Sequence, residues 1–139
     1  MKVSAPLACA LLCAMPFAAH AEDSLYTQLG GKPALEAVVD GLLQRAAHDP
    51  RIQDFFKETN LQYLRTQLVD QLCAASGGPC RYEGESMKNA HAAMGLKQTH
   101  FNALVEDLQD ALDAAGIPFS TQGRLLALLA PMHRDIVTR

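Results

Sequence analysis

The sequence has no tryptophan, and its aromatic residues make up only 6% of the chain. A core short of large rings has to be built from Leu, Val and Ala, which pack readily as helices. Positive charge is also in short supply. Twelve Lys and Arg stand against 15 Asp and Glu, for a net charge of −3. That removes the electrostatic footprint on which nucleic-acid binding depends. No run alternates apolar and polar residues convincingly enough for a strand, and no internal repeat occurs. What is present is a chain of 139 residues, 49% hydrophobic and 19% charged. This is the size of one domain with one core, and too apolar to remain disordered.

The N-terminal stretch is expected to lie outside that domain. Met1-Lys2 precedes an uncharged apolar run, Ala5 to Ala19, which ends in Ala19-His20-Ala21 before Glu22-Asp23. A basic start, a short apolar centre and small residues at the cleavage positions describe a secretory signal, too short to span a membrane. Leu12 stands where a lipoprotein needs a small residue before Cys13. Residues 1–21 are therefore expected to be cleaved, leaving residues 22–139 as the domain, in the periplasm. Export also removes Cys9 and Cys13. The remaining pair, Cys73 and Cys80, would sit in an oxidising compartment across a Gly-Gly-Pro turn, and are expected to form a disulfide. Neither Cys-x-x-Cys-His nor a set of zinc ligands accompanies them.

Four main helices are predicted. The first runs from Pro33 to Ala47, with Leu35, Val38, Val39, Leu42, Leu43 and Ala46 on one face, and ends before Asp49-Pro50. The second is capped by Asn60, carries Leu61, Leu64, Leu68, Val69 and Leu72, and stops at Gly77-Gly78-Pro79. A third, capped by Thr99, presents Phe101, Leu104, Val105, Leu108 and Leu112. In that helix Glu106, Asp107, Asp110 and Asp113 read as the solvated face. The fourth extends from Thr121 to Val137 with Leu125, Leu126, Leu128, Leu129, Met132 and Ile136, kinked or split by Pro131. The fold class is all-α.

Residues 77–98 form a long connection for so small a domain, and such connections usually carry function. Within it, Ser86 to Met94 reads as a short helical piece. Met87 and Met94 lie at i−4 and i+3 from His91, so the three share a face. Such a face suits a soft apolar partner, and equally an ordinary core. Of the other histidines, His48 at a helix end and His100 at the start of the third helix read as exposed, and His133 as remote.

Several of these segments, taken together and in order, resemble the group I truncated haemoglobins. They are Leu25-Tyr26-Thr27-Gln28-Leu29-Gly30-Gly31, Asp49-Pro50-Arg51-Ile52, Phe55-Phe56, Gly77-Gly78-Pro79, Tyr82-x-Gly84, Met87-Lys88-x-Ala90-His91, Gly95-Leu96 and Phe101. The resemblance covers Leu25 to Val137. It implies a two-over-two helical sandwich around haem b, with His91 as the proximal iron ligand and Phe56 wedged against the porphyrin. Leu64, Leu68 and Met94, with Tyr82, Met87 and Lys88 at the edge, would complete the haem contacts. Neutral imidazole is the usual axial donor in globins.

On the distal side the sequence departs from that family. Leu43 stands where a tyrosine is usual and Leu68 where a glutamine is frequent, while Leu64 and Leu104 complete the wall. Such a wall offers no donor to bound dioxygen. One lost charge-assisted hydrogen bond is worth about 1.5–3 kcal/mol, so dioxygen is expected to bind weakly, with CO and NO less affected. Tyr63, Gln67 and Gln71 are the nearest polar candidates. The expected function is diatomic gas binding by a monomer or weak dimer that neither spans a membrane nor binds nucleic acid. NO dioxygenase or peroxidase action would need a donor or acid-base group on that wall and an electron donor of unknown identity. The alternatives are a non-haem helical envelope module and a periplasmic haem electron carrier.

Overall fold

A computed structural model describes residues 23–139; the segment expected to be cleaved lies outside the described residues. Among the described residues every regular element is helical, in agreement with the sequence. The elements are α1 (Leu25–Leu29), α2 (Gly31–Ala46), α3 (Leu61–Ala75), α4 (Met87–His91), α5 (Gln98–Ala114), α6 (Phe119–Leu129) and α7 (His133–Ile136). Short 3-10 turns occupy Gln53–Phe56 and Ala130–Met132.

The local chemistry explains the boundaries. Gly30 adopts φ 102°, left-handed backbone that a glycine accepts without strain, and it joins α1 directly to α2. Pro33 falls in the first turn of α2, where its missing N–H leaves nothing unsatisfied. The Lys32 N–H of that same turn donates to Tyr26 Oη at 2.9 Å. Asn60 caps α3, its Oδ1 accepting from the Tyr63 N–H at 3.0 Å. The helix closes at Gly77, φ 87°, with the Gly78 N–H donating to Cys73 O at 2.8 Å. The start of α5 differs from expectation. It is Lys97, not Thr99, that precedes the helix, and the Lys97 N–H donates to His100 Nδ1 at 3.1 Å. Pro131, unable to supply a helical N–H, splits the fourth predicted helix into α6, a 3-10 turn and α7.

Two helix pairs, α2 with α3 and α5 with α6, meet through the packing of α2 on α5. Leu29, Leu35, Val39, Leu112 and Leu125 are buried in the core between them. The apolar stripes read from the sequence account for most of this core, with exceptions at their margins. Leu128 is 44% exposed and Leu61 38% exposed, because each sits at the edge of its stripe. The correction at Asp107 is larger. It is 7% exposed and therefore buried, not part of the solvated face, because the turn containing Asp49 covers it.

The small helix α4 holds no fully buried residue and is braced by α7. The chain then returns beneath it, with the Thr138 and Arg139 N–H groups both donating to Leu96 O. At the far end of α3, Cys73 and Cys80 have Cα atoms 5.7 Å apart and sulfurs in bonding contact, a geometry compatible with the expected bridge. No helix among the described residues is long and apolar enough to cross a membrane.

Candidate functional site

A cavity of about 520 Å³ lies beneath α2, between α3 on one side and α4, α5 and α7 on the other. That volume is within the ordinary range for sites that enclose a small molecule. Its walls are chemically unlike. Leu43 from α2, Leu64 and Leu68 from α3, and Leu104 from α5 all reach it, and Phe55 and Phe56 enter from the 3-10 turn. His91, Met87 and Met94 line it from the α4 segment, as their shared face predicts. At the rim stand Tyr63, Gln67, Tyr82 and Glu85.

The orientation of His91 follows from one hydrogen bond. Ser86 caps α4 by accepting the Asn89 N–H at 3.2 Å, which fixes the first turn. One turn later, His91 Nδ1 lies 2.8 Å from Met87 O. A carbonyl only accepts, so Nδ1 carries the proton and donates. The neutral ring then has its lone pair on Nε2, the tautomer required of an imidazole that ligates a metal.

Two of the polar side chains near the leucine wall, Gln71 and Tyr82, are engaged elsewhere. Gln71 Nε2 lies 3.2 Å from Met87 Sδ and 3.5 Å from Met132 Sδ. Gln67 packs beside Gly84 and Tyr82. Tyr82 Oη donates to Glu85 O at 2.7 Å, and burial, ahead of the nearby Tyr63 and Glu85, raises its pKa above the usual phenol value. Tyr63 is 63% exposed at the mouth. Gln71 and Tyr82 thus commit no donor to the space lined by Leu43, Leu64, Leu68 and Leu104, and Gln67 stands beside it at the rim.

Of the residues singled out from sequence around the cofactor and its ligand, Leu43, Phe56, Leu64, Leu68, Tyr82, Met87, His91, Met94 and Leu104 all line this one cavity. Lys88 is the exception: it is exposed on α4 and does not line the cavity. On a helix of five residues the face carrying Met87 and His91 turns its neighbour outward. His100 is corrected in the opposite direction. It is half-buried, lines the cavity and meets Phe55 edge-on, with ring centroids 4.9 Å apart. His133 meets Phe101 edge-on and does not line the cavity. Ile52, Leu96 and Ile136 also contribute to the walls and were not singled out from the sequence. Ile52 stood inside a recognisable motif. Leu96 likewise stood in a motif and Ile136 on the stripe of the last predicted helix, but it is the return of the chain end to Leu96 O that no local pattern announces.

A planar apolar macrocycle with a central metal fits these residues. Its faces would meet leucine on one side and the His91 segment on the other, and one imidazole presents a free Nε2 lone pair. Among the described residues no group of three or more His, Cys, Asp or Glu is arranged to hold a bare ion instead.

Comparison with known proteins agrees. The sequence model of the bacterial-like globin family matches residues 24–138. The group 1 truncated hemoglobin GlbN of Mycolicibacterium paratuberculosis is 38% identical over 115 residues, covering 83% of this chain and 85% of its own. Among solved structures, the truncated hemoglobin of Tetrahymena pyriformis in its Fe(III) form superimposes with a TM-score of 0.81 at 29% identity, over 84% of this chain and 100% of that one. The 2/2 hemoglobin of Synechococcus sp. PCC 7002 gives a TM-score of 0.78 at 27% identity, over 84% of this chain and 100% of that one. Family match, sequence identity and superposition coincide with the helical pairs and the His91-bearing cavity: the chain belongs to the bacterial-like globins and, among them, to the group 1 truncated hemoglobins.

Proposed function

We propose that the chain holds haem b in this cavity and binds diatomic gases there, with His91 Nε2 as the iron ligand. The observation that carries the reading is the Nδ1–H donated by His91 to Met87 O at 2.8 Å, across the cavity from four leucines. Haem supplies an iron centre to which a diatomic gas can bind. The protein's part is to orient one imidazole, to exclude water with apolar walls, and to withhold hydrogen-bond donors from the gas side. Phe56, Leu64, Leu68, Tyr82, Met87 and Met94 would surround the macrocycle. Leu43, Leu64, Leu68 and Leu104 would form the ligand's pocket. Dioxygen, which needs a donor for its partial negative charge, is the gas most penalised by this arrangement, and CO and NO the least.

The same wall argues against the enzymatic and electron-transfer readings. The four leucines supply neither an acid-base group nor a ligand for the sixth position, and His100, the other imidazole lining the cavity, is engaged by the Lys97 N–H and packed edge-on against Phe55. The setting we propose is the periplasm, reached by way of a cleaved signal at residues 1–21, where Cys73 and Cys80 would be bridged. N-terminal sequencing of the exported protein checks this, with Glu22 as the expected first residue.

The test of the haem reading is an absorption spectrum. Haem-replete wild-type protein is expected to show a Soret band. His91→Gly should lose it or shift it strongly, and added imidazole should restore the wild-type form. A spectrum unchanged in His91→Gly would remove His91 from the iron; no Soret band in wild type would favour the non-haem module.

A further inference from the structure

A second cluster of ionisable groups lies outside the cavity, where the turn after α2 crosses α5. Asp49, 9% exposed, begins this turn, and its backbone carbonyl accepts the Ile52 and Gln53 N–H groups. Its carboxylate is held on both oxygens by Arg51. The Arg51 N–H and Nε reach Oδ1 at 2.9 and 3.0 Å, and Nη2 reaches Oδ2 at 2.8 Å. Arg51 Nη1 in turn donates to Glu106 on α5. Facing Asp49 from α5, within hydrogen-bonding reach, is the carboxyl of Asp107. Asp107 is 7% exposed, and its buried Oδ2 has no hydrogen-bond partner.

Two carboxylates cannot both be charged in such a contact without a severe electrostatic cost. The Arg51 donors determine which one is ionised. Asp49 accepts the Arg51 N–H, Nε and Nη2, so it keeps its charge and its pKa is held below the usual carboxylate range. Asp107 receives none. Burial first, and the negative Asp49 second, raise its pKa above that range. Asp110 on α5 adds to the same effect, while Arg51 opposes it. A protonated Asp107 turns repulsion into an O–H donated to Asp49.

The location gives this contact a consequence. Ala46, Ile52 and Ala103 form a small core beside it, with Phe55 and Phe56 packed against them, and Ile52, Phe55 and Phe56 also line the cavity. We propose that Asp49 and Asp107 share one proton, and that this proton clasps the 49–56 segment to α5, so that the cavity wall formed by Ile52, Phe55 and Phe56 loosens when the proton leaves. With the proton gone, Asp49, Asp107 and Glu106 crowd a single Arg51, and the turn is pushed from α5. The sign follows from linkage. A carboxyl whose folded-state pKa is raised contributes stability below the ordinary carboxylate range and loses it as pH rises through the raised value.

Two measurements on the full haem-loaded protein test the clasp without relying on gas binding. Infrared spectroscopy is expected to show the C=O band of a protonated carboxylic acid persisting above the usual carboxylate range, absent from Asp107→Asn, whose amide keeps a donor toward Asp49. Far-ultraviolet circular dichroism of denaturant unfolding is expected to show the wild-type folding constant falling by up to tenfold per pH unit through that window, with Asp107→Asn flat. Amide exchange at Ile52 and Phe55, corrected for its intrinsic pH dependence, should follow the same difference. No such infrared band, equal pH slopes in the two proteins, or equal exchange at these amides would each overturn the proposal. Because the slope is read from helix content, its failure is distinguishable from failure of the haem assignment.

Discussion

Replacing Leu68 by glutamine tests the apolar gas pocket most directly. Leu68 lies on α3, is half-buried and lines the cavity, and glutamine reaches one atom further at comparable bulk. The new amide would place an N–H donor in a space to which Gln71 and Tyr82 commit none. A hydrogen bond to a charged acceptor contributes about 1.5–3 kcal/mol, equivalent to roughly 10- to 150-fold at 1.36 kcal/mol per decade. The lower end is the better expectation. Leu68 is not fully enclosed, so the amide keeps part of its hydration when no gas is present, and that hydration must be given up. Leu68 also packs against the main core. Its replacement by a polar side chain is expected to cost about 1–2 kcal/mol of stability. The assay is dioxygen and CO dissociation after ligand mixing or photolysis. Dioxygen release should slow by about tenfold or more, with CO release nearly unchanged. If the variant keeps the wild-type haem spectrum yet both rates stay the same, Leu68 does not face the gas and the leucine-wall argument fails.

Three further outcomes follow from the geometry. Cys80→Ser should lower stability by roughly 2 kcal/mol, the loop-closure value for so short a loop, and should speed haem loss because the same loop leads to α4. Equal unfolding midpoints and equal haem-transfer rates in both proteins would show that the cysteines do not brace the site. Gly78→Ala would place a Cβ 2.6 Å from both Cys73 Sγ and the Tyr26 ring, and a destabilisation of about 1–3 kcal/mol is expected, measurable by denaturant melts. On the acid side, Asp49 is held ionised by Arg51, so its contribution is present above the usual carboxylate range and lost as pH falls through its lowered pKa. Asp49→Asn should flatten that acid limb of the stability profile.

The parts of this molecule legible in its sequence are those with a local period. The α2, α3 and α5 stripes repeat often enough to declare themselves. Asn60 caps α3 as its side chain predicts, and Pro131 splits the last helix for the reason any proline does. The five-residue α1 and the 3-10 turn at Gln53–Phe56 have no period to read. Within the site, one face of a short helix was enough to bring His91, Met87 and Met94 together. The misreadings are long-range. Asp107 looks solvated beside Glu106 and Asp110, and only the Asp49 turn, 58 positions away in the chain, buries it. His100 looks exposed until Phe55 is placed against it.

The uneven distribution of the core has a further implication, concerning the order in which the molecule assembles. The helices that pack through Leu35, Val39, Leu112 and Leu125 complete their burial among themselves. By contrast α4 and α7 hold no fully buried residue, and they lean on each other and on the cavity. Helices of five and four residues are far below the length that is stable alone in water. The packing of α2 on α5 and of α5 on α6 therefore does not wait on a cofactor, while the His91 segment depends on what fills the space. The cofactor would then act as a template for the half of the protein that grips it.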